Sequence, residues 1–310
     1  MSRRQLPLFP NQPATPQDIS KQTPIGATFD HFRDYLIREG KSEHTIKAFV
    51  GDINLLIENT DIKTPIGSYT TTILNDYLHW MEFGRGVSCS RKTYARRVTT
   101  LKVFFKWLKS LEAIPHDPAK AIIQRSGPAP LSFVINDEEI RAAIYHATQM
   151  KKGDHTDYRP ELLFRLLLET GIKKSETARL KLSDLDRSNP TMPVIYIKHT
   201  VRNVYKERHI PVSESFIKAF DAYVQQYHPQ DTVFTCTTRN LEYILTDIGE
   251  RADIPFKLSF EVMRWTSALQ DYLAGHEEET IREKLGLSRT SWYETSQKIK
   301  RLADQQMRKD

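Results

Sequence analysis

The sequence predicts a mainly α chain of two domains, a four-helix N-terminal domain followed by an α+β domain with a small antiparallel sheet. Three observations carry that prediction. Four apolar stripes at helical spacing come first, a break rich in Pro and Gly follows, and two short β-branched runs then interrupt a further series of helical stripes. A length of 310 residues suits two domains better than one.

Residues 1–26 hold Pro7, Pro10, Pro13, Pro16 and Pro24 among polar residues and are expected to be a disordered tail. The helical domain is placed at 27–125. Its first helix carries Phe29, Phe32, Tyr35 and Leu36 on one face and stops at Gly40, which can take the left-handed turn that ends a helix. Ser42 opens a second helix with Ile46, Phe49, Ile53 and Leu56. Beyond Pro65 and Gly67, a third presents Ile73, Tyr77, Leu78 and Met81 and ends at Gly84 and Gly86. The fourth, from about Ser90 to Leu111, turns Tyr94, Val98, Leu101, Phe104, Phe105 and Leu108 inward and its cations outward.

A linker is expected over 126–134, punctuated by Gly127, Pro128 and Pro130, with the second domain at 135–310. Asn136 is an N-cap followed by Asp137, Glu138 and Glu139, acids that favour a helix N-terminus. An apolar helical run over 162–170 is closed by Gly171. The runs 193–199 and 204–212 read as the arms of a hairpin. Helical stripes over 214–226, 241–251, 260–274 and 277–306, the last broken at Gly286, complete the chain.

The charge is uneven. Residues 1–125 carry 18 Lys+Arg against 12 Asp+Glu and the remainder 27 against 27, so the whole excess of +6 lies in the first 125 residues. Arg91, Lys92, Arg96, Arg97, Lys102, Lys106 and Lys109 fall within one helix without an acid among them, which points to a polyanionic partner. No apolar run approaches the ~20 residues of a membrane span, and the N-terminus lacks the apolar block of a signal peptide, so a cytoplasmic protein is expected. Cys89 and Cys236 are too few for a disulfide scaffold. His199, His209 and His276 lack neighbours at ligand spacing, and the chain has no phosphate-cradling Gly-rich motif, so neither metal nor nucleotide cofactor is expected.

Several strings resemble the tyrosine recombinase (phage integrase) family over nearly the whole chain from Thr28. They are Ser42-Glu-His-Thr-Ile-Lys-Ala-Phe-Val-Gly-Asp52, Thr93-Tyr-Ala-Arg-Arg-Val-Thr-Thr-Leu-Lys-Val-Phe-Phe-Lys-Trp107, Thr170-Gly-Ile-Lys-Lys-Ser-Glu-Thr-Ala-Arg-Leu180 with Asp184-Leu-Asp186, and Lys206-Glu-Arg-His-Ile-Pro211. The resemblance implies a SAM-like core-binding domain, a catalytic-type domain and double-stranded DNA as partner. In active members a tyrosine attacks the scissile phosphate, while two arginines, a lysine and two His-type residues stabilise the pentacoordinate state and protonate the leaving 5′-oxygen. Charge dispersed over equatorial oxygens needs preorganised donors, and the leaving alkoxide needs an acid.

The matched positions depart from that set. Lys173, beside Lys174, stands for the first arginine and keeps the charge without the bidentate fork. Asn203 stands for the hairpin lysine, with Arg202 adjacent. In the His-x-x-Arg motif Arg264 is kept, but Glu261 replaces the histidine with a carboxylate that repels phosphate. Leu287 replaces the second histidine, and Ser296 occupies the nucleophile's place, three residues after Tyr293.

These departures lead to the expectation of a non-enzyme, a nucleoid-associated duplex DNA-binding protein with a recombinase fold that has lost strand cleavage. It would serve as an architectural, chromosome- or plasmid-maintenance or accessory factor. Its DNA contacts are expected from Arg91, Lys92, Arg96, Arg97, Lys102 and Lys106 on one side and from Lys173, Lys174, Arg202, Lys206, Arg208 and Arg264 on the other. Two alternatives stay open. One is a divergent active site-specific recombinase using Tyr293, although Trp292-Tyr293, flanked by Ile281, Leu285 and Ile299, reads as a packed aromatic pair. The other is a transcription regulator whose residues 279–302 form a helix-turn-helix, with Arg289, Thr290, Ser291 and Tyr293 opening the second helix. Lys298, Lys300, Arg301 and Arg308 offer the terminal helix a contact with a second copy or an active recombinase.

Overall fold

Residues 13–124, 130–198, 200–201, 204–205 and 207–306 are described in the computed structural model, which divides into two units, Met1–Pro128 and Ala129–Asp310.

The first unit is built on α1 (Phe29–Arg38), α2 (Glu43–Asn59), α3 (Thr71–His79) and α4 (Arg91–Ser110). Ser42, Thr70 and Ser90 each cap a helix by accepting the N–H of the residue three further on, which satisfies a donor the helix itself cannot. The apolar stripes meet as one core around Phe32, Ile53, Leu56, Tyr77, Phe104 and Phe105, with the Phe104 ring set edge-on to Phe32 at 5.0 Å. The tail expected over 1–26 is corrected for its described part. Pro16–Asp18 forms a 3-10 turn, Ile19 and Ile25 are buried, and the Ile25 and Gly26 amides donate to the Thr64 and Ile62 carbonyls. Proline bars the interior of an α-helix but not short 3-10 turns laid against a neighbour, and two isoleucines supply the apolar area that the polar composition concealed.

The second unit opens with α5 (Asp137–Gln149), whose Asn136 and Glu139 form a capping box, and a small hairpin of β1 (Lys151–Lys152) and β2 (His155–Thr156). Then come α6 (Tyr158–Thr170), α7 (Lys174–Thr177), β3 (Leu185–Asp186), β4 (Val194–Ile197), β5 (Thr200–Val201), β6 (Val204–Tyr205) and β7 (Arg208–Pro211). The helices α8 (Glu214–Tyr227), α9 (Thr238–Arg251), α10 (Phe260–Leu273), α11 (Glu278–Lys284) and α12 (Arg289–Gln306) follow. The main sheet is antiparallel in the order β3-β4-β7, with Ile195 opposite Ile210 and Ile197 opposite Arg208. That register turns Ile195, Ile197 and Ile210 into a core with Leu162, Leu163, Leu166 and Leu167 of α6. A smaller apolar cluster joins α10, α11 and α12 through Leu269, Ile281, Leu285, Ile299 and Leu302.

Candidate functional site

On α4, Arg91, Lys92, Lys106 and Lys109 are exposed and Lys102 is half-buried. Arg96 and Arg97 have another task. Asp52 of α2, 2% exposed, accepts from Arg96 Nη1 at 2.7 Å and from the Thr100 hydroxyl at 2.8 Å, and Arg97 Nε lies 3.6 Å from its other oxygen. Arg96 also donates to the Ala48 carbonyl, and Arg97 Nη1 points at Cys89 Sγ 3.2 Å away. Arg97, expected outside as a phosphate contact, is therefore corrected to a buried tie between helices. It shares the inward face with Thr100 and Leu101, one helical turn on, and Phe104, two turns on. Burial pushes the Asp52 carboxyl above its ordinary value despite the hydrogen bond from Thr100 and the charges of Arg96 and Arg97.

In the second unit, Gly171 ends α6 in the left-handed conformation, φ 57°, and the chain turns directly into Lys173, the N-cap of α7. The Lys173 amide donates to Glu176 Oε2 at 2.8 Å. The same carboxylate receives both terminal nitrogens of Arg208, at 3.1 and 2.9 Å. Arg208 is only 6% exposed, so this residue too is corrected from surface phosphate contact to internal ion pair. In β7 the inward positions alternate, and 208 falls on the same face as Ile210. Burial pushes Glu176 up, but the hydrogen bonds and charge of Arg208 and the Lys173 amide outweigh it and hold the carboxyl below its ordinary range. Lys174 is exposed and pairs with Glu242 at 2.8 Å.

Arg264 reaches from α10 to donate to the carbonyls of Gly171 and Leu285. Burial pushes it down to about 10, with Glu176 opposing the shift and Arg208 adding to it. Its two bonds bring the segment before Lys173 and the turn after α11 to one place. Glu261 is exposed in the first turn of α10. Arg202, Asn203, Lys206, His199 and Arg308 lie outside the described residues.

The turn between α11 and α12 is a Schellman motif. Leu287 N–H donates to the Arg282 carbonyl at 3.1 Å and Gly286 N–H to that of Glu283 at 2.8 Å, with Gly286 at φ 59°. Leu287 packs against the apolar cluster. Ser288 Oγ then caps α12 by accepting the Ser291 N–H. Trp292 and Tyr293, expected to pack as a pair, part company: Trp292 joins the apolar cluster, while Tyr293 is 72% exposed. Ser296 is buried, its hydroxyl bonded to the Tyr293 carbonyl. One residue of helix is a rotation of about 100°, which takes the phenol off the face shared by Trp292, Ser296 and Ile299. Arg289, Thr290 and Ser291 are exposed beside it. Of the cations offered for partner contacts, Lys298 lies 5.9 Å over the Trp265 ring and Lys300 pairs with Glu278 at 2.6 Å, both within the chain.

Sequence reasoning missed Asp52 and Glu176 as the carboxylates that hold these arginines. Glu176 had a local signal, since an acid three residues after an N-cap is a capping residue. Asp52 had none, because its partners lie more than 40 residues away. Among the described residues no helix is long and apolar enough to cross a membrane, and no group of three or more His, Cys, Asp or Glu could hold a metal ion.

A four-helix unit followed by a mainly helical unit with a small antiparallel sheet is the build of a tyrosine recombinase. Residues 134–298 match the phage integrase family and residues 29–111 the phage integrase N-terminal SAM-like domain, so the chain belongs to the phage integrase family. It is similar to tyrosine recombinase XerC of Mycobacterium sp. (strain JLS), 28% identical over 208 residues that make up 66% of this chain and 66% of the relative. XerC of Mycobacterium tuberculosis (strain CDC 1551 / Oshkosh) is 28% identical over 172 residues, 54% of this chain and 57% of that one. The chain thus spans 66% or less of the length of these relatives.

Solved structures share the fold, two of them as follows. A lambda integrase tetramer bound to a Holliday junction matches with a TM-score of 0.70 at 14% identity, over 88% of this chain and 77% of that one. XerH bound to palindromic difH substrate, a post-cleavage complex, matches with a TM-score of 0.70 at 15% identity, over 92% and 83%. The expectation of a non-enzyme is corrected by the relatives, which are named as recombinases and hence as enzymes.

Proposed function

We propose that this chain is a site-specific tyrosine recombinase that cuts and rejoins duplex DNA with Tyr293 as its nucleophile. The observation that supports this most is the split on α12. The serine at the expected nucleophile position is buried, and the tyrosine three residues earlier is exposed on the helix that follows the arginine-held turn. The Tyr293 phenol gives its proton to water as its oxygen attacks the scissile phosphorus, a phosphotyrosyl bond forms, and the expelled 5′-oxygen takes a proton from water. One phosphoester replaces another, so rejoining is the same step reversed. Lys173 and Arg264 supply positive charge for the equatorial oxygens, Lys173 as a point charge and Arg264 through donors left over from its two carbonyl bonds. The helical domain at 27–125 grips phosphates through Arg91, Lys92, Lys102 and Lys106, and the domain at 135–310 carries the chemistry. Strand exchange needs a second strand to be cut, so the working form includes a further copy or another recombinase.

The test uses a pool of end-labelled nicked duplexes of randomised sequence, in which cleavage releases a short fragment and traps the protein on DNA. The wild type is expected to give a protease-sensitive, slowly migrating adduct that Tyr293→Phe abolishes and Ser296→Ala keeps. An adduct that survives Tyr293→Phe, or none with the wild type, ends this reading.

A further inference from the structure

We propose that Arg208 is a positioning residue for strand cleavage, acting as the seat on which the turn carrying the tyrosine helix rests. The proposal builds on the recombinase reading above, but its physical basis stands apart from it. A side chain added at Gly286 would bring its Cβ within 2.5 Å of Arg208 Nη1, 2.9 Å of Cζ and 3.1 Å of Cδ, so the guanidinium lies flat against the bare backbone of the turn. Gly286 is required twice, for its left-handed φ of 59° and for this approach.

The guanidinium is itself immobilised. Glu176 takes both of its terminal nitrogens, and one oxygen of that carboxylate also accepts the Lys173 amide. A continuous chain of contacts therefore runs from the Lys173 backbone through Glu176 and Arg208 to Gly286, and on through Ser288 into α12. It links the residue assigned to the phosphate with the helix that bears Tyr293. The turn needs such a seat because it also borders an open cleft of about 1120 Å³, lined by Gly286, Leu287 and Ser288 among others. What holds it is Arg208 beneath Gly286, Arg264 at the Leu285 carbonyl and Arg282 at the Leu287 carbonyl. Of these three, Arg208 is the one tied to the Lys173 amide through a shared carboxylate.

The role predicts a separation of binding from chemistry. Arg208→Lys keeps the charge but loses the flat fork that bridges Glu176 and Gly286. Gly286→Ala leaves the Arg208–Glu176 pair in place and lifts the turn off it. Both variants are expected to bind a random-sequence duplex with the wild-type Kd. On the nicked pool, adduct formation should slow by up to about 100-fold, the scale of a misplacement of about 1 Å in a reacting group. The double variant should be no slower than the worse single one, since both changes break one contact. Hydrogen exchange on the free protein is the readout that a merely structural role would not reproduce. Amides over 285–293 should exchange faster in both variants while those of α6 and β4 stay protected.

Unchanged exchange and unchanged adduct rate would overturn the proposal. So would equal losses of affinity and rate, which would put Arg208 on the DNA, additive effects in the double variant, or loss of protection across the whole unit. If the wild type forms no adduct, the recombinase reading falls. The exchange data then decide by themselves whether Arg208 seats the turn.

Discussion

Asp52 in the helical unit and Glu176 in the α+β unit are both carboxylates exposed by 5% or less, and both face arginine, yet burial prevails at the first and the arginine at the second. The difference lies in the donors. Asp52 has one close arginine nitrogen, at 2.7 Å on a side chain still 39% exposed, and a second held off at 3.6 Å. Glu176 has a two-pronged guanidinium that is itself buried and a backbone amide at 2.8 Å. Desolvation is costly in both places, and only matched donors on both oxygens overcome it. The helical unit therefore uses its carboxylate to steer two arginines of α4, whereas the second unit uses its own as the keystone of the candidate site.

Removing the charge from each carboxylate tests that contrast most strongly. Glu176→Gln is expected to destabilise the second unit by about 3–5 kcal/mol, because it leaves the buried Arg208 charge unpaired. Asp52→Asn should cost the helical unit less, about 1–2 kcal/mol, because an amide replaces a carboxyl already pushed toward its neutral form. Denaturant titration of the full chain, with hydrogen exchange to assign each transition to its unit, gives both numbers. Equal costs would erase the contrast.

A gentler test is pH, where the two groups should act with opposite sign. The folded value of Glu176 is lowered, so its stabilisation is complete above the ordinary carboxylate value of about 4.3 and is lost as pH falls through the folded value. The folded value of Asp52 is raised, so the folded unit takes up a proton before the unfolded chain does. Its contribution thus improves as pH falls from the raised value toward about 3.9. Stability measured from pH 7 to acid should show the gap between wild type and Glu176→Gln closing at low pH. The gap between wild type and Asp52→Asn should move in favour of the wild type over the same fall.

The smallest effect separates outward from inward cations on α4. Lys106→Gln is expected to flatten the slope of log affinity against log salt by about 0.9, one phosphate contact. Arg97→Gln should leave that slope alone and instead lower the stability of the helical unit. A slope change with Arg97→Gln would return that residue to the surface.

The helices were legible because their signals are local. Apolar residues three and four apart, Ser42 and Ser90 as caps, Asn136 with its following acids, and Gly171 and Gly286 as stops all act within one or two turns of chain. The short pieces were harder. β1, β2, β3 and α7 have two to four residues each, too few for a period to register. The folded stretch after Thr15 was hidden because short turns among prolines owe their order to what they lie against. Relatedness to the phage integrase family was legible too, since strings such as Thr170 to Leu180 combine a cap, a glycine stop and a capping acid in fixed order.

By itself the sequence determined the order of elements, the confinement of excess charge to the first 125 residues, the family, and the residue types standing at each family position. Only the tertiary structure decided which way those residues face. Arg97 turns inward because Asp52 awaits it on another helix, Arg208 because β7 presents it to Glu176, and Tyr293 turns outward because α12 packs through Trp292, Ser296 and Ile299. Each orientation is set by partners 32 or more residues distant or by the rotation of a helix against its neighbour. Residue identity records the charge, but the free energy of using it depends on how many donors meet it and how much water is left.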